Sequence, residues 1–195
     1  LQRGNLVFHR AGPAPLEILA RWDAEWYLLI AEHGYQSAAF FERLPVGYGA
    51  ADATGFFPAL PLLIRTLGLL GIAPLAAGVL VSNAALLLAL ISLCDLARED
   101  LGEAAASSFS WILLAFPTSF FLSAVYAGSL MLLGVSGALR AARRGRPGIA
   151  GLWAALATLS RPTGLLVLLP LADEFFLASR PRGGRQAAGR LGGLL

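Results

Sequence analysis

The sequence contains no lysine. All fifteen of its basic residues are arginine, so chemistry that needs a lysine, a P-loop phosphate cradle or a Schiff base, is excluded from this stretch of chain. A GC-rich bacterial source is the expected origin of that bias. Cysteine occurs once, as Cys94 inside an apolar run, which rules out an intrachain disulfide and a cysteine-based zinc site. His9 and His33 have no ligand spacing between them, and no metal site is expected from this chain alone. Charge is scarce: 14% of the residues are ionisable acids or bases, against about 25% in soluble domains. The formal net charge of +3 is too small to point to nucleic acid. No GxSxG elbow, HExxH helix or glycine-rich loop after a strand is present, which removes the common sequence-local signatures of hydrolases and nucleotide binders.

Apolar residues take the place of what is missing, at 57% of 195. A soluble domain of this size cannot hide so much apolar surface, whereas a bilayer removes the need to hide it. The expected fold class is therefore all-α, a polytopic transmembrane helical protein. The chain begins at Leu1, its one methionine is Met131, and a new apolar run starts near residue 191. A fragment of a longer protein, with its start and its end both missing, is expected.

Two regions follow. Residues 1–55 read as an extracytoplasmic loop and 56–195 as the transmembrane helical region. Residues 1–53 carry Glu17, Asp23, Glu25, Glu32, Glu42 and Asp52, half of the twelve acids, and the stretch 42–55 is rich in loop residues. Beyond Phe56 the apolar pattern predicts helices near 56–71, 73–97, 105–116, 119–139, 149–160 and 164–179. Several are shorter than the roughly 20 residues of a perpendicular span, a length tolerated where broken helices line a protein cavity. Arg140, Arg143, Arg144 and Arg146 form one cluster, and Arg180, Arg182, Arg185 and Arg190 another, two helices apart. Both fall on one side, cytoplasmic by the positive-inside rule. Residues 1–53, the Phe116-Pro117 break and the turn at Ser160–Gly164 then face outward. Segment 98–104 counts as cytoplasmic although Glu99, Asp100 and Glu103 outnumber Arg98, because acids weigh little in that rule.

The segment from Leu16 to His33 predicts an amphipathic helix in the first loop. On a wheel with Asp23 at the origin, Leu16, Leu19, Ala20, Trp26, Tyr27 and Ile30 fall within about 60° of it. Glu17, Arg21, Glu25 and Glu32 take the opposite face, where i,i+4 ion pairs are expected. Asp23 is the one charge in the apolar stripe. An unpartnered carboxylate there is costly, and desolvation raises its pKa toward that of a useful base. A structural Asp bonded to a backbone or to a distant arginine satisfies the same pattern.

Arg161 stands at an outward turn between two apolar helices, where it serves either as an interfacial residue or as a clamp on a phosphate or carboxylate. Arg65 lies one to two turns into the first apolar helix, placed to snorkel to the interface or to bind substrate. Tyr126 follows the Phe116-Pro117 break and fits an aromatic belt or a site. Asp95 with Arg98, and Asp173 with Glu174, read as helix-end residues. Between 73 and 94 the polar side chains are Ser82, Asn83 and Ser92, few for a transport path through a bilayer.

Four blocks resemble the GPI mannosyltransferase 2 (PIG-V) family, in the family's order: Arg21-Trp22-Asp23-Ala24 with Tyr27 and Gly34-Tyr35; Phe56-Phe57-Pro58-Ala59-Leu60-Pro61 running to Arg65; Phe116-Pro117-Thr118-Ser119-Phe120-Phe121 with Tyr126; and Ser160-Arg161-Pro162-Thr163-Gly164. They match the front part of the family's longer sequence. The resemblance implies a bacterial member of the GT-C type of membrane glycosyltransferase, in the cell membrane and multi-pass, with its active site on the extracytoplasmic face. The implied donor is polyprenyl-phosphate mannose, the acceptor a glycan or glycolipid hydroxyl, and the transfer inverting. The role of the fold's first-loop acidic base carries over to Asp23. Arg161, Trp22, Tyr27, Tyr126 and Arg65 are the implied substrate-binding residues. The donor is a substrate, so no cofactor is implied, and a metal is left open. One position departs: after the tyrosine of the third block the family usually shows Thr or Ser, then Glu, then Ser, where this chain has Ala127, Gly128 and Ser129. The other function compatible with the fold is non-enzymatic, a transporter or assembly subunit for lipid-linked sugars.

Overall fold

A computed structural model describes residues 18–35, 42 and 53–178. The described residues form helices and turns with no strand, which gives the all-α class. A 3-10 turn at Ile18–Ala20 leads into α1 (Ala24–His33), and α2 (Ala59–Gly68) precedes α3 (Pro74–Leu101). Then come α4 (Glu103–Ala115), a 3-10 turn at Pro117–Ser119 and the one-turn α5 (Phe120–Ser123). The last elements are α6 (Gly128–Arg143), α7 (Pro147–Ser160), a 3-10 stretch at Pro162–Val167 and α8 (Leu168–Ala178).

The helix limits follow from local chemistry. Pro74 and Pro147 stand at helix starts, where a missing N–H costs nothing. Helix α3 ends at Gly102, whose φ of 87° suits glycine and whose N–H bonds the carbonyl of Arg98. Pro117 cannot continue α4, and the chain bends by 75° there. Among the described residues α3 is the one helix long and apolar enough to cross a membrane by itself; the bent pair Glu103–Ala115 and Pro117–Ser123 makes a second if counted as one broken span.

Close packing rests on small residues. A Cβ on Gly134 would sit 2.6 Å from the backbone of Ala157, and one on Gly137 would sit 2.6 Å from the Trp153 ring, so α6 and α7 approach as only glycine allows. Helices α1, α2, α3 and the turn before α6 share a second core of Leu28, Leu60, Ile64, Ala77 and Val125, all nearly inaccessible. Truncating Leu60 to alanine there costs about 2–5 kcal/mol.

At one end of the bundle the charges interlock. The Arg143 guanidinium makes two 2.8 Å bonds to Asp100 and one of 3.0 Å to Glu174. Asp95 accepts from Arg98 at 3.0 Å and pairs with Arg140, and Arg98 reaches Glu103 at 2.6 Å. Glu99 and Asp100 are thus counterions of Arg143, and Glu103 is the partner of Arg98. They and the Arg140–Arg143 cluster share one end of the bundle, which gives the acidic segment a structural reason. Glu174 and Asp95 are more than helix-end residues: they join α8 and α3 to α6.

Two expectations are corrected. The helix expected at 119–139 is broken, with Ala124–Ala127 as a turn between α5 and α6. The wheel from Leu16 to His33 does not apply, because Arg21–Asp23 is a turn and the helix begins at Ala24. Arg21 therefore precedes the helix, and its spacing to Glu25 places no ion pair. Leu16, Glu17, Asp52, the Arg180–Arg190 cluster and the run near 191 lie outside the described residues.

Candidate functional site

Trp22 makes the turn that opens α1. Its φ of 57° is left-handed, a conformation costing roughly 1–2 kcal/mol for a residue with a Cβ and uncommon for a bulky side chain. The turn leaves the indole 59% exposed, tilted over Phe121 at 6.1 Å. Asp23 follows as the N-cap. Its carbonyl accepts the N–H of Trp26 at 3.1 Å and of Tyr27 at 3.4 Å. Its carboxylate makes no capping bond to its own helix and is exposed, not packed against Trp26 and Tyr27 as the wheel had it. Those two rings are buried instead around Phe56, Trp26 stacked at 5.3 Å and Tyr27 edge-on at 5.2 Å.

The Ala124–Ala127 turn holds this segment in place. Val125 donates its N–H to the Leu19 carbonyl at 3.0 Å, and the Tyr126 hydroxyl donates to the Arg21 carbonyl at 3.1 Å. From behind, α3 braces the turn: Asn83 donates to the Ser123 carbonyl at 2.9 Å and Ser82 to the Tyr126 carbonyl at 3.4 Å. The two polar residues in the middle of the longest apolar helix are thus occupied in a structural task.

Arg161 arrives from the other side. It caps α7 in extended conformation, with its N–H bonded to the Ala157 carbonyl at 3.1 Å. The Gly164 N–H returns to the Arg161 carbonyl at 2.9 Å. That return is so tight that a Cβ on Gly164 would lie 2.1 Å from the Ala157 carbonyl oxygen.

These elements enclose a cleft of about 500 Å³ at the end of the bundle away from the Arg140–Arg143 cluster, within the size range of small-ligand sites. Trp22, Phe121, Leu122 and Tyr126 give it an apolar, largely aromatic side; Asp23, Thr118 and Arg161 give it polar groups, and Gly128 completes the lining. Among the described residues Asp23 is its one carboxylate and Arg161 its one cation. No ion pair joins them among the described residues. Burial, then the Asp23 charge, pushes the Tyr126 phenol up to about 12, with Arg161 and a backbone hydrogen bond at Asp23 opposing. Burial likewise holds Tyr27 at about 12, with Arg161 the largest opposing influence and Asp23 adding to the rise. Both phenols stay neutral near pH 7, so they serve as donors and walls, not as bases.

Of the residues singled out from the sequence, Asp23, Arg161, Trp22 and Tyr126 meet in the cleft. Tyr27 lies behind it, near enough to feel both charges. Arg65 does not line it: the side chain is exposed on α2, and a Cβ on Gly34 would lie 3.9 Å from its Nη1. Sequence reasoning did not assign Thr118, Phe121 and Leu122. Thr118 and Phe121 stand in the Phe116–Phe121 block and were open to being found there. Among the described residues no three His, Cys, Asp or Glu side chains gather as a metal site.

Among the described residues, a helical bundle with a polar, aromatic-walled cleft at one end is the class that fold and site define. The chain belongs to the Mannosyltransferase (PIG-V) family, whose profile matches residues 9–172. It is similar to GPI alpha-1,6-mannosyltransferase 2 of Cricetulus griseus, 34% identical over 161 residues, which are 76% of this chain and 30% of that protein. The Mus musculus protein of that name is 33% identical over 178 residues, 85% of this chain and 32% of its own. The Homo sapiens protein is 34% identical over 161 residues, again 76% and 30%. The chain thus spans about a third of the length of these curated relatives. No solved structure matches it. The family resemblance drawn from four short blocks is borne out over most of the sequence.

Proposed function

We propose that this chain is the front part of a multi-pass membrane glycosyltransferase that transfers mannose from polyprenyl-phosphate mannose to a hydroxyl of a glycan or glycolipid. The observation that carries the reading is the cleft itself: one carboxylate, Asp23, and one guanidinium, Arg161, face a shared space and are not spent on each other. In the reaction the acceptor O–H gives its proton to the Asp23 carboxylate as its oxygen forms a bond to the anomeric carbon. The bond from that carbon to the phosphate oxygen breaks, the electron pair leaves with the lipid phosphate, and the configuration inverts. A positioned carboxylate supplies about 10²–10⁴-fold for such a proton transfer. Arg161 holds the phosphate as its charge grows. Trp22 offers its exposed indole to the sugar or the prenyl chain, and the buried ring of Tyr126 backs the site.

In this reading the cleft faces the extracytoplasmic side, with residues 1–55, and the Arg140–Arg143 end faces the cytoplasm. The interlocked charges there suit a helix end in water and not one in lipid. Transport of lipid-linked sugars finds less support, because Ser82 and Asn83 are bonded to the backbone of the 123–126 turn. The test is a radiolabel assay on the full-length protein in membranes, with polyprenyl-phosphate [³H]mannose as donor and a panel of mannosides and glycolipids as acceptors. Label moving from lipid to acceptor supports the reading; donor left intact with every acceptor sinks it.

A further inference from the structure

Thr118 is the middle residue of the short turn that follows α4. Pro117 before it stops the helix and sets its own backbone angle. Ser119 after it is fastened twice: its N–H returns to the Phe116 carbonyl at 2.9 Å, and its hydroxyl reaches the Leu114 carbonyl at 2.7 Å. The Phe120 N–H takes the carbonyl of Thr118 itself. The backbone of Thr118 is therefore held from both sides, and a side chain branched at Cβ has few rotamers to choose from.

That side chain belongs to the cleft. Thr118, Phe121 and Leu122 stand at i, i+3 and i+4 along the helical stretch Pro117–Ser123 and line the cleft together. Ser119, between them, turns back to Leu114. Thr66 and Thr158 bond carbonyls of their own helices. The exposed Thr118 hydroxyl has no hydrogen-bond partner among the described residues.

The other polar side chains of the lining have tasks. The Tyr126 hydroxyl is bonded to the Arg21 carbonyl. In the transferase reading Asp23 takes the acceptor's proton and Arg161 holds the leaving phosphate. The mannosyl ring between them has further hydroxyls to place, against a wall that includes Trp22, Phe121 and Tyr126. The C–H face of a pyranose suits such a wall, and its hydroxyls need directional partners. A few well-placed polar groups fix the orientation of a ligand in a mostly apolar site. The Trp22 N–H only donates, whereas a threonine hydroxyl donates and accepts, as a sugar hydroxyl does.

We infer that Thr118 recognises the transferred sugar: its hydroxyl hydrogen-bonds a ring hydroxyl of the donor's mannosyl group and holds that ring against the aromatic wall. The inference rests on the transferase reading above. It adds the side chain by which the cleft distinguishes a sugar from another group carried on a lipid phosphate.

The experiment uses the full-length protein in membranes, with polyprenyl phosphate carrying mannose or its 2-, 3-, 4- or 6-deoxy analogue. Thr118→Val keeps the shape and removes the hydroxyl. Its kcat/KM with the mannosyl donor should fall ~3–10-fold, the size of one neutral hydrogen bond, and Thr118→Ser should recover most of that loss. For one deoxy donor the two losses should overlap, giving a coupling of about threefold or more, while the other deoxy donors lose additively. Thr118→Ala is the variant to read if Thr118→Val does not fold. An equal loss with all the donors marks a structural role and overturns the inference, as does full use of the mannosyl donor by Thr118→Val. Mannose 1-phosphate, titrated calorimetrically into the solubilised protein, should bind more weakly to Thr118→Val than to wild type. If the wild type transfers to no acceptor, the transferase reading falls, and this titration decides sugar recognition by itself: weaker binding by the variant supports it, and equal binding or none overturns it.

Discussion

The hydroxyl of Tyr126 donates to the carbonyl of Arg21 at 3.1 Å across more than half of the chain. That bond fastens the turn before α6 to the turn that carries Asp23, and it lies at the edge of the cleft. Tyr126→Phe keeps the ring against Phe121, 5.1 Å away, and removes the hydroxyl with its bond to the Arg21 carbonyl and its hydrogen bond at the Asp23 backbone. A typical hydrogen bond contributes about 0.5–1.5 kcal/mol, so the loss of stability should be of that size. Transfer should fall further than stability does, because the Asp23 turn loses a tether. Thermal unfolding and turnover measured on the same membrane preparation check both; a variant with unchanged turnover would separate the tether from the chemistry.

Trp22 makes a prediction with opposite signs. Its left-handed backbone costs roughly 1–2 kcal/mol that glycine would not bear. Trp22→Gly should therefore recover part of the stability lost with the indole, while Trp22→Ala loses the indole and keeps the strain. Both should transfer poorly. The checking measurement is the difference in unfolding midpoint between the two variants, with the glycine variant expected higher. The reverse order would mean that the turn is not strained.

Much of this was legible in the sequence. Segments near 73–97, 105–116 and 149–160 became α3, α4 and α7 within a few residues, because long apolar runs flanked by Pro and Gly admit little else. Asp23 stood out as a misplaced charge, and it does open on the cleft. The reason given for it was nevertheless incomplete: Trp22 turns the chain just before Asp23, and no helical periodicity announces a tryptophan with positive φ. The break at Ala124–Ala127 was equally hidden. Those residues are apolar and read as helix; what unwinds them is long-range, the bonds of Val125 and Tyr126 to the 19–21 carbonyls and the support from Ser82 and Asn83. Arg65 failed as a cleft residue for a similar reason: its sequence block is close to the site's, but α2 turns that side chain toward Gly34.

Gly164 positions Arg161 through the backbone. With a Cβ 2.1 Å from the Ala157 carbonyl oxygen, Gly164→Ala must shift the 161–164 turn, at a cost of about 1–3 kcal/mol as for other overpacked sites. Donor affinity should weaken along with stability, because the guanidinium moves with the turn. Gly148→Ala, at a glycine with open space around it, is the control and should change neither. Equal donor affinity in the two variants would disconnect Gly164 from the site.

The charge network at the opposite end should matter for assembly and not for chemistry. Arg143 is shared by Asp100 and Glu174, so Arg143→Gln leaves two carboxylates without their common partner. Breaking a partly buried pair from one side costs more than removing both members. The Arg143→Gln, Glu174→Gln double variant should therefore be more stable than the sum of the single losses. Stability of the four proteins in one detergent measures that coupling, and turnover per folded molecule should stay near wild type throughout.

Asp23 and Arg161 carry the decisive test. They face one cleft without an ion pair between them, as an attack on a sugar carbon requires: the acceptor oxygen and the leaving phosphate lie on opposite sides of that carbon, so base and clamp must stand apart with the sugar between. Asp23→Asn preserves shape and removes the proton acceptor. Its kcat should fall by about 10²–10⁴-fold with little change in KM for the donor, since the lost interaction belongs to the transition state. Arg161→Ala should lower donor affinity and kcat together, because the phosphate is held before reaction and gains charge during it. Arg161→Lys should restore only part, as an ammonium lacks the guanidinium fork. If Arg161 were only an interfacial residue, lysine would restore everything. If Asp23 were only a structural cap, asparagine, an equally good N-cap, would transfer at the wild-type rate in membranes with matched expression, and the assignment of the base would fall.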